Sequence, residues 1–300
     1  EIMGTAPRLA EHLARAPTLL DHVLSTNFYV ELPHTSELEA DLESDLKLAE
    51  NEEDVLDRVR WWTHDREFQL GVQLLRGVIG PDDVAHGLTD LTDAVLHGLT
   101  PRVEAQFQKQ HGTVPGGGMA VIAFGKYGAR ELNFGSDLDL VFVYSHDEDA
   151  DSSDGPRPLP PSQYFIRLSQ RIVTALTSMT NAGRLFEIDM RLRPSGSAGP
   201  LACDVAGFVR YQEEEAWYWE HLALTRARVV HGPPALTTAL KQAITRILTS
   251  ERDPHELASA VTDMRARIAT EHPAFDRFDV KYVKGGLIDL DFLSQFLQLV

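Results

Sequence analysis

Apolar positions near the middle of the chain predict neighbouring β-strands. Residues 121–124 and 138–144 are short, almost wholly apolar runs rich in β-branched and aromatic side chains, which is typical of buried strands. Alternating apolar and polar positions predict a further, half-buried strand over residues 185–194. Together these runs predict a small mixed sheet at the centre of the fold.

Apolar residues that recur every three or four positions predict helices on both sides of these strands. Residues 1–112 are expected to be helical, with a short helix at Leu19 and a long one over residues 52–76. A later helix is expected from a cap at Ser162 through Met179, and a helical region from Asp204 through Val230. The positions expected to face the core are Leu9, Leu13, Ala16, Leu38, Leu42, Leu46, Val55, Val59, Trp62, Leu70, Leu74, Val84, Leu88, Leu91, Val95, Leu99, Phe165, Leu168, Ile172 and Leu176.

The order of these elements predicts an α+β fold in three parts. A helical N-terminal region covers residues 1–112, a small α/β domain residues 113–235, and the start of a helical bundle residues 236–300. The run Gly116-Gly117-Gly118 marks the first boundary, and it lacks the Gly-Lys-Ser/Thr ending of a P-loop. Since the chain ends at Val300 inside an apolar helical pattern, we expect a fragment of a longer protein.

Candidate chemistry begins where the second strand starts, in the string Gly135-Ser136-Asp137-Leu138-Asp139. Alternate side chains of a strand share a face, so Asp137 and Asp139 are expected to project together. Adjacent carboxylates resist joint ionisation, and Mg²⁺, which prefers carboxylate and phosphate oxygens, removes that conflict. Gly135 would let the backbone approach a phosphate, and Ser136 could donate to it. A D-x-D pair alone usually marks a solvated strand end, but the whole string favours a metal site.

The strand predicted over residues 185–194 carries a third carboxylate. Its alternation puts Asp189, Arg191 and Arg193 on one face. If it lies beside the D-x-D strand, three aspartates could hold two metal ions roughly 3.5–4 Å apart for in-line phosphoryl transfer. The arginines would then grip triphosphate oxygens in forked geometry. Pairing of the arginines with Glu187 or Asp189 is the alternative, and for Arg193 both remain open.

Other conspicuous residues are expected to have structural roles. Asp289 and Asp291 form a second D-x-D, but their surroundings predict a helix, on which positions i and i+2 diverge by about 200°. Trp217 is expected to pack against the sheet. Arg226 and Arg228, placed on a helix, could not both face a nucleotide.

Composition narrows the class of protein. The chain has 300 residues, 43% of them hydrophobic, which is enough for a large core. Its net charge of −17 argues against a nucleic-acid-binding protein. A single cysteine, Cys203, excludes an internal disulfide and fits a reducing cytoplasm. No apolar run has the length of a membrane span, and because the first residues do not have the pattern of a signal peptide, none is expected.

Several strings resemble one known family. GKYGARELNFGSDLDLVFVY, FEIDMRLRPSGSAGP, EAWYWEHLALTRARVV and GGLIDLDFLSQFLQL are similar, in this order, to the glutamine synthetase adenylyltransferase family, within the polymerase-β-like nucleotidyltransferase superfamily. The resemblance runs from about Ala120 to the end of the chain. Of the family's two catalytic halves, the Arg-Pro-Ser-Gly string at Arg193 and the EAWYWEH string at Glu215 resemble the adenylylating one. Tyr127 stands where the family more often has leucine or methionine.

The resemblance implies transfer of AMP from ATP to a tyrosine of glutamine synthetase, with release of pyrophosphate. It implies that Asp137, Asp139 and Asp189 hold two Mg²⁺ ions and that Gly135 and Ser136 hold phosphate oxygens. Lys126, Arg191 and Arg193 are candidates to neutralise the leaving group. It further implies a cytoplasmic enzyme of nitrogen metabolism, regulated by the PII signal-transduction protein and by glutamine.

Three other functions are weighed against this one. The adenylyl-removing half of the same family shares the aspartates and differs in reaction, since it releases AMP by phosphorolysis. A non-catalytic nucleotide-binding module would not need all three aspartates. A nucleotidyltransferase that acts on nucleic acid is disfavoured by the net charge of −17.

Overall fold

The structure is a computed structural model that describes residue 13, residues 26–30 and residues 33–300. The helical face predicted at Leu9 and Ala16 and the short helix predicted at Leu19 lie outside the described residues.

Helices and short strands alternate along the described chain. The strands are β1 (Gly118–Ala123), β2 (Leu138–Ser145), β3 (Ile188–Asp189), β4 (Ala202–Asp204) and β5 (Arg228–His231). The helices before β1 are α1 (Thr35–Leu46), α2 (Glu52–Leu75) and α3 (Pro81–His111). The later helices are α4 (Gly125–Gly128), α5 (Pro161–Thr177), α6 (Val205–Glu214), α7 (Tyr218–Leu224), α8 (Pro234–Leu248), α9 (Pro254–Glu271) and α10 (Leu287–Leu299). Short 3₁₀ helices cover Thr26–Tyr29 and Gly196–Ala198.

The strands form a small mixed sheet, which confirms the predicted α+β class. The order along the sheet is β3-β2-β1-β5, and β4 pairs with a later part of β2 on the side that β3 occupies. β1 is antiparallel to β2 and β5, whereas β3 and β4 run parallel to β2. Strand β2 therefore lies at the centre, with neighbours on both edges.

Both faces of the sheet are covered, which explains why β1 and β2 read as continuous apolar runs. On one face, Val121, Leu140 and Phe142 belong to a core shared with α1, α2, α3 and α5. On the other face, Ile122 and Val143 pack with side chains of α6 and α8. The N-terminal helices and the sheet thus share one continuous hydrophobic core.

The helix predictions for this shared core are confirmed. Predicted residues 52–76 correspond to α2, and the side chain of Asn51 accepts a hydrogen bond from the Asp54 backbone N–H at its start. Helix α5 begins at Pro161, one residue before the expected cap, and ends at Thr177. The predicted core positions of α1, α3 and α5 are buried, namely Leu38, Leu42, Leu46, Val84, Leu88, Leu91, Val95, Leu99, Phe165, Leu168, Ile172 and Leu176.

The predicted strand over residues 185–194 is wrong in its length, because β3 contains only Ile188 and Asp189. The chain turns immediately afterwards. Ser195 adopts the left-handed conformation with φ of 61°, and a 3₁₀ helix follows. The Arg193 guanidinium fixes this turn, because it donates to the carbonyl oxygens of Met190 and Gly199 at 2.8 and 3.1 Å.

The helical region predicted from Asp204 through Val230 is interrupted. The Asp204 carboxylate caps α6 as expected, accepting from the Gly207 N–H at 2.8 Å. Extended backbone at Trp217 then breaks the helix, and Glu220 caps the start of α7 by accepting from the Trp217 N–H at 2.9 Å. The chain ends this region as strand β5, whose pairing with β1 overrides its helical periodicity.

The length and hydropathy of the helices bear on whether any of them could span a membrane. Across the described residues, no helix combines enough length with enough apolar character to cross a membrane.

Candidate active site

The structure brings the three predicted aspartates together at one end of β2. Parallel pairing of β2 with β3 sets Asp139 directly beside Asp189. Asp137 immediately precedes β2. Leu138, between the two aspartates of the D-x-D pair, is only 1% exposed, so the carboxylates on either side of it face away from the core. The alternation expected from the sequence therefore holds at this strand end.

These carboxylates act on one another electrostatically. Burial, followed by the negative charges of Asp137 and Asp189, raises the pKa of Asp139 to about 6. Arg191 and Lys126 oppose this rise without cancelling it. The site therefore carries an excess of negative charge at the Asp139 carboxyl group, and a bound cation would relieve it.

Arg191 holds the Asp189 carboxylate. Its Nε and Nη2 atoms lie 2.7 and 2.5 Å from Oδ2 of Asp189, and its backbone N–H donates to Oδ1 at 2.8 Å. The side-chain hydrogen bond from Arg191 lowers the pKa of Asp189. Because the Arg191 side chain is 81% exposed, it can leave this carboxylate without disturbing the core.

A tight turn carries Gly135 and Ser136 into β2. Gly135 has φ of 70°, a left-handed conformation that glycine adopts without strain. The Ser136 N–H donates to the Asn133 carbonyl at 2.9 Å, and the Asn133 N–H donates to the Ser136 hydroxyl at 3.1 Å. Since the hydroxyl acts as an acceptor in this turn, its own proton remains available for a phosphate oxygen.

Helix α4 packs against the other side of Asp139. The Phe124 N–H donates to the Asp139 carbonyl at 2.9 Å. Gly125 has φ of 55°, which favours glycine, and a β-carbon at this position would overlap the Asp139 carboxylate and displace it. Lys126 is exposed and lowers the pKa of Asp139 electrostatically, which places its ammonium group near the cluster.

Arg193 has a different position from the one the sequence predicted. Its guanidinium donates to the carbonyl oxygens of Met190, Ser197 and Gly199, and so its donors serve the turn that follows β3. Its charge still contributes to the lowered pKa of Asp189. Arg191 and Lys126 thus lie near the aspartates, whereas Arg193 stabilises the adjoining loop.

The donor chemistry of the cluster fits Mg²⁺, although the side chains are not preassembled around a metal. Among the described residues, no three acidic, histidine or cysteine side chains converge closely enough to hold an ion as they stand. The Asp189 carboxylate instead accepts a hydrogen bond from Arg191. The all-oxygen donors and the raised pKa of Asp139 are the features that suit a hard divalent cation.

A buried polar network behind α4 was not predicted from the sequence. Asp93 of α3 accepts from the Tyr127 hydroxyl at 2.6 Å and from Nη1 and Nη2 of Arg228 at 2.8 and 3.0 Å. Tyr127 is fully buried. The network ties α3 and β5 to the helix that carries Gly125 and Lys126. The sequence signal for this network is an aspartate enclosed in the buried run Leu91-Thr92-Asp93-Ala94-Val95.

The residues set aside as structural mostly have structural partners. Asp289 pairs with Arg265, and Asp291 lies 3.3 Å from Arg226, so the second D-x-D does not converge on one point. The prediction that Trp217 packs against the sheet is wrong, because this side chain is 65% exposed.

Comparison with known proteins agrees with the geometry. A small mixed sheet with helices and with aspartates on adjoining strands is the arrangement of the nucleotidyltransferase class. A family model described as glutamate-ammonia ligase adenylyltransferase matches residues 1–243. Since the match covers most of the chain, the chain belongs to this family.

Individual relatives point the same way. The chain is 44% identical over 298 residues to the bifunctional glutamine synthetase adenylyltransferase/adenylyl-removing enzyme of Brucella suis biovar 1 (strain 1330), covering 99% of this chain and 30% of that protein. Proteins of the same name from Xanthobacter autotrophicus (strain ATCC BAA-1158 / Py2) and Bradyrhizobium sp. (strain ORS 278) are 44% and 43% identical over 299 residues, covering 99% and 100% of this chain. The chain spans 30% of the length of each of these relatives.

Proposed function

We propose that this chain transfers AMP from ATP to a tyrosine of glutamine synthetase and releases pyrophosphate. The observation that carries the proposal is the pairing of Asp139 with Asp189 across parallel strands, with Asp137 close enough to contribute to the raised pKa of Asp139. Such a carboxylate cluster suits phosphoryl chemistry, in which positioning and charge neutralisation lower the barrier.

Each residue has an assigned part in this reaction. Asp137, Asp139 and Asp189 would hold two Mg²⁺ ions, which when bound supply positive charge to the triphosphate. The tyrosine oxygen forms a bond to the α-phosphorus, and the bond from that phosphorus to the oxygen of the departing pyrophosphate breaks. Asp189 accepts the tyrosine proton once Arg191 moves from its carboxylate to the triphosphate.

The phosphate-binding groups surround this cluster. Gly135 and Ser136 hold phosphate oxygens through the backbone and the hydroxyl. Lys126 and Arg191, both exposed beside the aspartates, neutralise the leaving pyrophosphate. Arg193 supports the same step indirectly, because its hydrogen bonds fix the turn that adjoins Arg191.

The adenylylating assignment rests on the strings that distinguish the two halves of the family. The Arg-Pro-Ser-Gly string is the turn fixed by Arg193, and the EAWYWEH string contains the break at Trp217. The Tyr211 hydroxyl and the Trp217 N–H both donate to the buried carboxylate of Glu220, at 2.9 Å each. The backbone of Ser195 also hydrogen-bonds with Tyr211, so Tyr211 connects the two strings. A cytoplasmic location and control by PII and glutamine belong to the same proposal.

The test is incubation of the chain with Mg²⁺, unmodified glutamine synthetase and ATP labelled at the α-phosphate. We expect label on a tyrosine of glutamine synthetase and one pyrophosphate released for each AMP transferred. ATP labelled at the γ-phosphate is the control and should leave the protein unlabelled.

The opposite reaction separates the two halves of the family. Adenylylated glutamine synthetase, incubated with the chain and orthophosphate, should keep its AMP if the proposal holds. Phosphate-dependent release of ADP, with no forward labelling, would assign the chain to the adenylyl-removing half. Absence of both reactions would favour a nucleotide-binding module.

A further inference from the structure

Glu220, near the start of α7, is a buried carboxylate that pairs with no lysine or arginine in the described part of the chain. The residue is 6% exposed. Its two oxygens accept from neutral donors, Oε1 from the Tyr211 hydroxyl and Oε2 from the Trp217 N–H, at 2.9 Å each. Burial of an ionised group without a counter-charge lowers stability. A carboxylate at such a position is therefore a candidate for a role beyond packing.

The Tyr211 hydroxyl joins Glu220 to the turn that follows β3. Burial and the bond to Glu220 raise the pKa of Tyr211, and a hydrogen bond with the Ser195 backbone opposes this rise. A bond that lowers the pKa of a phenol favours its anion and so comes from a donor, here the Ser195 N–H. The hydroxyl oxygen thus accepts from Ser195 while its proton is donated to Glu220.

The turn held in this way is strained and lies close to Arg191. Ser195 has φ of 61°, a left-handed conformation that residues other than glycine rarely adopt. Immediately after it, the Gly196 N–H donates to the Arg193 carbonyl at 2.8 Å. The Arg193 guanidinium donates to the Met190 carbonyl at 2.8 Å. The turn therefore closes back on the residue that precedes Arg191.

We propose that Tyr211 and Glu220 are positioning residues that orient Arg191 for the triphosphate. This role rests on the proposed function, in which Arg191 moves from Asp189 to the nucleotide. The Arg191 side chain is 81% exposed, so its direction depends on the backbone from which it extends and not on packing. The Tyr211 hydroxyl supports the strained turn that fixes this backbone. Without it Ser195 can relax, and the guanidinium no longer meets the phosphates in one orientation.

The test is a calorimetric titration of the chain with α,β-methylene-ATP and Mg²⁺, because AMP transfer cannot break the α–β bridge of this analogue. Tyr211→Phe removes the hydroxyl alone, and we expect binding at least about tenfold weaker. Tyr218→Phe is the matched control, because it also removes a hydroxyl that donates to a glutamate, Glu256, at 3.3 Å. The control should bind the analogue as the unmodified chain does. Equal affinity of the two variants would overturn the proposal.

A double-mutant cycle separates the positioning of Arg191 from general destabilisation. In an Arg191→Ala background, Tyr211→Phe should weaken binding by less than about twofold further, since the group that it orients is absent. In a Lys126→Met background, which removes a cation carried by α4, the whole loss should remain. The same loss in both backgrounds would mean that Tyr211 does not act through Arg191 and would also overturn the proposal. If Tyr211→Phe fails to fold, Glu220→Gln takes its place in each comparison.

Failure of the positioning role can be distinguished from failure of the proposed function. If the unmodified chain binds the analogue and transfers AMP, and Tyr211→Phe binds equally well, only the positioning role is wrong. If the unmodified chain neither binds the analogue nor transfers AMP, the proposed function is wrong and the positioning role with it.

Discussion

Replacement of Asp139 by asparagine is expected to stabilise the metal-free chain while it abolishes AMP transfer. In the folded chain the pKa of Asp139 is raised from 3.8 to about 6, by burial and by the charges of Asp137 and Asp189. Folding therefore favours the protonated carboxyl group. The stability that comes from this preference is complete below pH about 4 and is lost as the pH rises through about 6.

The size of the effect follows from this pKa difference. About two pKa units correspond to roughly 3 kcal/mol, which is the upper limit of the free energy that an ionised Asp139 removes from the fold. Asparagine has no charge to bury. Above pH about 7, the free energy of unfolding of the variant should therefore exceed that of the unmodified chain by up to about 3 kcal/mol. The gain should shrink to about 1 kcal/mol near pH about 4.5.

The assay is urea unfolding in the presence of EDTA at both pH values, beside label transfer from the α-phosphate of ATP on the same preparation. Asp149→Asn, at an exposed loop position, is the matched control and should change neither property. A stability gain that does not depend on pH would refute the electrostatic reasoning. Turnover close to that of the unmodified chain at saturating Mg²⁺ would refute the role of Asp139 in the site.

Three further substitutions test other parts of the account. Asp189→Asn should leave the melting temperature of the metal-free chain nearly unchanged or raised, because its partner Arg191 is largely exposed, whereas AMP transfer should collapse. If the melting temperature falls together with activity, Asp189 has a structural role instead. Tyr127→Phe removes a buried hydrogen bond to Asp93 and should cost about 1.5–3 kcal/mol in urea unfolding, whereas Tyr218→Phe, at a more exposed hydroxyl, should cost less; equal losses would contradict the network. Arg60→Met removes a fully buried guanidinium that donates to the carbonyl oxygens of Leu56, Ala175, Ser178 and Gly183, and it should cost at least about 3 kcal/mol in urea unfolding; a loss below about 1 kcal/mol would contradict this role of Arg60.

The central strand and its aspartates could be predicted because their signals are local. The apolar run of β2 identifies a buried strand, and alternation about Leu138 directs Asp137 and Asp139 away from the core. Helices α1, α2, α3 and α5 were predictable for a similar reason, since their apolar positions recur with the helical period. Most of the fold around the sheet therefore followed from short-range patterns.

The remaining features depend on partners that are distant in the sequence. Alternation extended β3 to Arg193, but hydrogen bonds from its guanidinium to Met190 and Gly199 fold that segment into a turn. Asp93 reaches partners 34 and 135 positions away, at Tyr127 and Arg228. Contacts between residues this far apart leave no periodic pattern in the sequence. At these positions tertiary packing overrides the local preference.

The most direct measurement of the central claim is Mn²⁺ binding, followed by electron paramagnetic resonance, in the presence of a non-hydrolysable ATP analogue. Mn²⁺ takes the same oxygen ligands as Mg²⁺ and reports its bound state spectroscopically. We expect about two bound ions for each unmodified chain. We expect loss of bound Mn²⁺ in Asp139→Asn and normal binding in Asp149→Asn. Binding by Asp139→Asn with the stoichiometry and affinity of the unmodified chain would contradict the assignment of this aspartate cluster as the metal site.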